Sequence, residues 1–162
     1  MPIKNTELQK YRFANENPTI GIQYDIPTNG LFQVHWSNGN LRYEWYYKDG
    51  ERADGESKGW FPNGNMKQVW NWKNGEKDGL FTEWYENGQK EFEVTYKDDK
   101  EDGLFTFWYE NGQKWQEATY KDGERDGKYT EWYENGQKEV ESTYKDGELI
   151  EITYYDRDGN EQ

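Results

Sequence analysis

Residues 78–101 read DGLFTEWYENGQKEFEVTYKDDKE, residues 102–125 read DGLFTFWYENGQKWQEATYKDGER, and residues 126–149 read DGKYTEWYENGQKEVESTYKDGEL. They are three ungapped copies of one 24-residue unit. Residues 54–77, DGESKGWFPNGNMKQVWNWKNGEK, are a looser copy in the same register. Residues 29–53, NGLFQVHWSNGNLRYEWYYKDGERA, are looser still and carry one extra residue, placed most simply near Ala53. A fixed period of this length marks an array of one supersecondary unit, in which each copy buries its apolar face against its neighbours.

Each copy contains two turn signals. Asn38-Gly39, Asn63-Gly64, Asn87-Gly88, Asn111-Gly112 and Asn135-Gly136 suit a two-residue type I′ turn. Asp49-Gly50, Asn74-Gly75, Asp122-Gly123 and Asp146-Gly147 form the second set, and Asp98-Asp99 breaks it, which marks a strained or longer turn. The Asp-Gly that opens each unit, as at Asp78-Gly79, fits a bend or bulge between hairpins. Between the turns lie runs of about seven residues rich in Thr, Tyr, Phe and Trp, which favour strands. The fold is therefore all-β, a series of tandem β-hairpins. Alternation assigns Lys90, Phe92, Val94 and Tyr96 to the core face, with Glu91, Glu93 and Thr95 on the wet face. In the leading strand Phe81 and Tyr85 share one face and Trp84 takes the other.

The bulk composition agrees with a folded chain of unusual core. Hydrophobic residues make up only 31% of 162, yet 19% of the chain is aromatic. Disordered chains are poor in rings, so the core is aromatic rather than aliphatic. The net charge of −13 repels phosphate backbones and anionic lipid, which argues against nucleic acid and membrane as ligands and favours a basic protein. Without cysteine there is no disulfide or thiol chemistry. Met1–Lys10 is polar, without the apolar stretch of a signal peptide, and the expected location is cytoplasmic.

The run G-x-(F/Y)-x-x-W-Y-E-N-G-Q-K-x-x-E-x-x-Y-K-D-G resembles the MORN-repeat variant of bacterial proteins, many of them grouped as YwqK-like antitoxins of toxin–antitoxin systems. The match is close over Gly79–Asp98, Gly103–Gly123 and Gly127–Gly147, looser over 30–75 and absent from 1–28. The resemblance implies hairpins stacked edge to edge in an elongated, single-layer antiparallel sheet or solenoid. Two strands per unit advance such a sheet by roughly 9.6 Å, so five units span on the order of 50 Å. The expected organisation is an N-terminal cap or irregular strand over 1–28, including Ile20-Gly21-Ile22-Gln23-Tyr24. Five units follow over 29–149, then a strand and capping turn over 150–162.

Three features invite a functional reading. Trp60, Trp84, Trp108 and Trp132 stand at one equivalent position, with His35 in the first copy. Rings lining an exposed face would stack on a glycan or grip an extended peptide, while packing against neighbouring hairpins is the weightier alternative. Glu93, Glu117 and Glu141 repeat on the polar face, either as an acidic strip for a basic partner or as a solvated surface partly neutralised by Lys90, Lys114 and Lys138. Tyr47, Trp72, Tyr96, Tyr120 and Tyr144 precede the second turn and are assigned to the core.

Catalytic and metal sites are not expected. His35 is the only histidine, and carboxylates repeated in every unit read as surface rather than as one tuned acid–base couple. Asp156–Asn160 lacks the glycine placement and distal Glu of a calcium loop and reads as a turn. No cofactor is implied. The expected function is non-catalytic binding of a basic protein, in its sharpest form neutralisation of a toxin or effector. The alternatives are a glycan or extended polymer along the tryptophans, or a structural spacer in a larger assembly.

Overall fold

The computed structural model describes residues 27–162, so the strand expected at Ile20–Tyr24 and nearly all of the expected cap lie outside the described residues. The described residues form one open antiparallel sheet without helices. Its strands are β1 (Gly30–His35), β2 (Leu41–Lys48), β3 (Glu51–Arg52), β4 (Gly55–Trp60), β5 (Met66–Lys73), β6 (Glu76–Lys77), β7 (Gly79–Trp84), β8 (Lys90–Lys97), β9 (Lys100–Trp108), β10 (Lys114–Lys121), β11 (Glu124–Trp132), β12 (Lys138–Lys145) and β13 (Glu148–Tyr154). The sheet is a plain meander in chain order, with β3 and β6 as short side ladders on β2 and β5. In the later copies those side ladders merge into the long strands β9 and β11.

The two turn sets divide their roles differently from expectation. Type I′ geometry, with both central residues at positive φ, belongs to the second set: Asp122 and Gly123 have φ of 51° and 90°. At Asn-Gly only the glycine is left-handed, as in Gly88 at φ 89°. There the Gly88 N–H donates to the Tyr85 carbonyl and the Tyr85 N–H to the Gln89 carbonyl, both at 2.9 Å, which makes a three-residue loop ending in a left-handed glycine. The asparagine explains the choice. Its Oδ1 accepts the N–H two residues on, and its Nδ2 reaches the next copy, as Asn87 does to the Glu110 carbonyl at 2.9 Å.

Asp98-Asp99 is neither longer nor different in type. Asp98 and Asp99 sit at φ 49° and 64°, so a non-glycine residue takes the left-handed place. The extra residue of the first copy falls as expected beside Ala53, whose N–H bonds the Tyr46 carbonyl, as the Asp78 N–H bonds that of Asn71. The expected bulge at the opening Asp-Gly is present: register shifts between Val94 and Tyr96 and between Ala118 and Tyr120. A Cβ on Gly127 would stand 3.2 Å from the Thr119 Cβ, so this bulge admits only glycine without strain.

A second bulge at the Asn-Gly end overturns part of the expected alternation. Register shifts between Glu83 and Trp84 and between Lys114 and Gln116 swap the faces of the residues just after the loop. Lys90, expected on the core face, bonds Glu93 on the opposite face. The Glu91 position moves to the aromatic face, where its counterpart Trp115 packs 5.1 Å from Phe107.

Core packing runs along one face. Phe32, Val34, Trp45 and Tyr47 form a buried cluster at the first hairpin. From there Trp70 and Trp72 meet Phe81, and Phe81 meets Tyr96. Val94, paired across the strands with Phe81, is 1% exposed. No helix among the described residues is long and apolar enough to cross a membrane.

Candidate functional site

The face opposite the core carries a row in which threonine and glutamate alternate across the strands. Thr82 lies opposite Glu93, Glu93 opposite Thr106, Glu117 opposite Thr106 and Thr130, and Glu141 opposite Thr130 and Thr153. Buried threonines thus hold the carboxylates two strands apart, so no two glutamates of this row face each other directly. Each glutamate also takes a lysine from its own strand: Lys90 to Glu93 at 2.5 Å, Lys114 to Glu117, and Lys138 to Glu141 at 2.8 Å. The Lys138 ammonium holds the Glu141 carboxyl below its ordinary value, and Glu141 in turn raises Lys138.

The same lysines reach the tryptophan row. Lys90 Nζ stands 5.5 Å from the Trp108 ring centre, Lys114 Nζ 5.9 Å from that of Trp132, and Lys138 Nζ 6.0 Å from that of Tyr155. Trp60, Trp84, Trp108 and Trp132 are all half-buried. Glu93, Glu117 and Glu141 therefore join Trp108, Trp132 and Tyr155 in Glu–Lys–ring stacks that bridge successive copies. On Trp108 and Trp132 the ammonium occupies part of the ring surface that a sugar would need. The glutamates are each matched to a lysine rather than presented as bare charge.

The aromatic face departs from the repeat in the copy at 102–125. In the copies at 78–101 and 126–149 the position before the ladder tryptophan is Glu83 or Glu131; in 102–125 it is Phe107. Likewise Glu91 and Glu139 correspond to Trp115. Both replacements fall on one face and meet. Phe107 lies 4.7 Å from Phe105, 5.6 Å from Phe92 and 5.1 Å from Trp115, and Trp115 lies 6.4 Å from Tyr109. All five rings are half-buried.

Carboxylates flank this patch. Across the strands the row runs Glu83, Phe92, Phe107, Gln116, Glu131. Burial raises the Glu83 carboxyl above its ordinary value, and neighbouring Glu91 adds to the shift. Burial raises the Tyr109 phenol, and the charges of Glu134, Glu139 and Glu131 add to the shift. The arrangement offers apolar ring surface between anionic groups, which suits a protein segment with both apolar and cationic side chains.

Repetition in the sequence pointed to the tryptophan and glutamate ladders. The signal for the patch was the converse, two consensus glutamates replaced by Phe107 and Trp115 in an otherwise faithful copy. That signal was visible in the sequence, and the swap of faces that brings the two rings together was not. Of the five rings assigned to the core, Tyr47 and Trp72 are buried, while Tyr96, Tyr120 and Tyr144 are half-buried. His35 is exposed. Asp156–Asn160 is a turn of the Asn-Gly kind, its Asp156 carboxylate engaged by the Asp158 and Asn160 N–H groups. Among the described residues no cluster of three or more His, Asp or Glu is arranged to hold a metal ion.

Comparison with known proteins agrees with this geometry. The pattern of the MORN repeat variant family matches residues 28–49, 53–74, 77–98, 101–122 and 125–146, together more than half of the chain. No curated protein matches it. Repeats of this kind are generally protein- or membrane-binding modules.

Proposed function

We propose that this chain, which belongs to the MORN repeat variant family, is a non-catalytic binding module for a basic protein, engaged at the aromatic patch of Phe92, Phe105, Phe107, Tyr109 and Trp115. The observation that carries the reading is the replacement of two repeat glutamates by Phe107 and Trp115, which join into one ring cluster between Glu83 and Glu131. A structural array has no need to break its own pattern there, and the neighbouring copies fold with glutamate at both positions. The net charge of −13 favours a basic protein over an anionic membrane. Neutralisation of a basic toxin or effector is the sharpest form of this reading.

The test is affinity capture from host lysate with two baits, the native chain and Phe107→Glu/Trp115→Glu, each eluted with a salt gradient. A basic protein retained in stoichiometric amount by the native chain, released by moderate salt and missing from the variant supports the proposal. Equal capture by both baits, or retention that ignores salt, counts against it.

A further inference from the structure

The aromatic face repeats a cation site. Lys77 Nζ stands 5.6 Å from the Phe81 ring centre and 4.6 Å from that of Tyr96. Arg125 repeats the arrangement two copies later, at 4.4 Å from Tyr129 and 5.1 Å from Tyr144. It also donates to the Tyr144 hydroxyl at 3.2 Å and to the Tyr120 hydroxyl at 3.3 Å. Arg52 lies 4.9 Å from both Trp45 and Trp72. In the intervening copy the rings are the same: Phe105 and Tyr120 meet edge to face at 5.7 Å. The residue in the place of Lys77 and Arg125 is Glu101.

The substitution reverses the charge at a position built for a cation. Among the described residues no cation stands over Phe105 or Tyr120, and no ion pair engages Glu101. Its Oε1 accepts the Tyr96 hydroxyl at 3.4 Å. Glu101, Phe105 and Tyr120 are all half-buried. The electronegative ring surface and the carboxylate both favour a positive group. Phe105 belongs also to the patch around Phe107, so the two features are continuous.

We propose that Glu101, Phe105 and Tyr120 form a receptor site for a cationic side chain, an arginine or lysine presented by the basic protein partner, in the place that the chain's own cation fills in other copies. The inference rests on the reading above and names what the patch recognises at its end nearest Glu101.

The probe is an acetylated, amidated deca-arginine peptide, titrated into the isotope-labelled full chain and followed by amide chemical shifts. Three variants accompany it: Glu101→Lys, which restores the repeat's internal cation; Glu86→Lys, an exposed residue with the same change of charge; and Phe107→Glu/Trp115→Glu. The expected shifts centre on residues 101–105 and 120. Glu101→Lys is expected to weaken the peptide by roughly tenfold or more relative to Glu86→Lys, and to raise the melting temperature by about 2 °C or more, because an internal cation–ring stack is regained.

If Glu101 is instead a counter-charge to Lys77 and Arg125, Glu101→Lys lowers the melting temperature and weakens the peptide no more than Glu86→Lys; that result overturns the inference. Binding lost in Phe107→Glu/Trp115→Glu but unchanged in Glu101→Lys likewise sinks the Glu101 site while leaving the aromatic patch standing. Loss of lysate capture by the native chain, in contrast, removes the broader reading itself.

Discussion

The Tyr85 hydroxyl donates to the backbone carbonyl of Trp108 at 2.8 Å, tying the loop of one hairpin to the strand end of the next. Tyr109 repeats the bond to Trp132 at 2.8 Å and Tyr133 to Tyr155 at 3.0 Å, while in the first copy the Trp36 indole N–H takes the role toward Trp60. Burial raises the Tyr85 and Tyr109 phenols, so both stay protonated donors across the physiological range. Tyr109→Phe keeps the ring and removes the bond. It is expected to cost about 1 kcal/mol, read as a lower urea midpoint with an unchanged denaturant slope. An unchanged midpoint would mean that water replaces the hydroxyl without loss.

Asp99 holds a left-handed backbone at φ 64° where the other copies have glycine, and its Oδ1 accepts the Lys77 N–H at 2.7 Å. The two facts oppose each other energetically. A non-glycine residue in this region costs roughly 1–2 kcal/mol, and the hydrogen bond recovers about 1 kcal/mol. Asp99→Ala keeps the strain and loses the bond, so thermal unfolding should show it about 1–2 kcal/mol less stable than the native chain. Asp99→Gly loses both together and should fall within about 1 kcal/mol of native. Equal destabilisation by the two variants would contradict this account.

What the sequence made legible was whatever the repeat itself enforces: strand runs, turn positions, the residue inserted near Ala53 and the bulge at each opening Asp-Gly. Bare alternation failed just after the Asn-Gly loops. One bulged residue shifts the period of two, so Lys90 and the position shared by Glu91 and Trp115 change sides. Turn type at Asn-Gly was misread because dipeptide preference ignores the side chain's reach to the neighbouring copy, which Asn87 spends on the Glu110 carbonyl. Positions such as Glu101 escape a reading that averages over copies, since their meaning lies in the difference between copies.

Glu83 and Glu141 should give opposite pH signatures. Burial raises the folded-state pKa of Glu83. Its favourable contribution is therefore present below the ordinary carboxylate value and lost as the pH rises through the raised one. Glu83→Gln, an isostere without the charge, should raise the melting temperature at pH 7, and the gain should shrink as both proteins approach pH 4. A constant difference across that range would show that the effect is not ionisation.

Glu141 runs the other way. The Lys138 hydrogen bond lowers its folded-state pKa, so its contribution is present above the ordinary carboxylate value and disappears as the pH falls through the lowered one. Glu141→Gln is expected to cost about 0.5 kcal/mol at pH 7, the scale of a partly exposed ion pair. The cost should fade in acid and diminish in high salt. A loss that persists at low pH would assign Glu141 a packing role instead.

The patch itself can be separated from the core by restoring the repeat. Phe107 and Trp115 are half-buried, and the Phe107–Trp115 contact at 5.1 Å is of a kind worth about 0.5–1.5 kcal/mol beyond area burial. Glutamate is already accommodated at Glu83, Glu131, Glu91 and Glu139 on the same scaffold. Phe107→Glu/Trp115→Glu should therefore unfold cooperatively, with a loss of about 1–3 kcal/mol relative to the native chain. Replacing Phe81, which is 2% exposed among Trp70, Trp72 and Tyr96, should cost about 3–5 kcal/mol as Phe81→Ala. Calorimetry of the two variants side by side gives the comparison. If restoring the glutamates is as damaging as opening the core at Phe81, the Phe107–Trp115 cluster holds the sheet together and loses its claim as a binding surface.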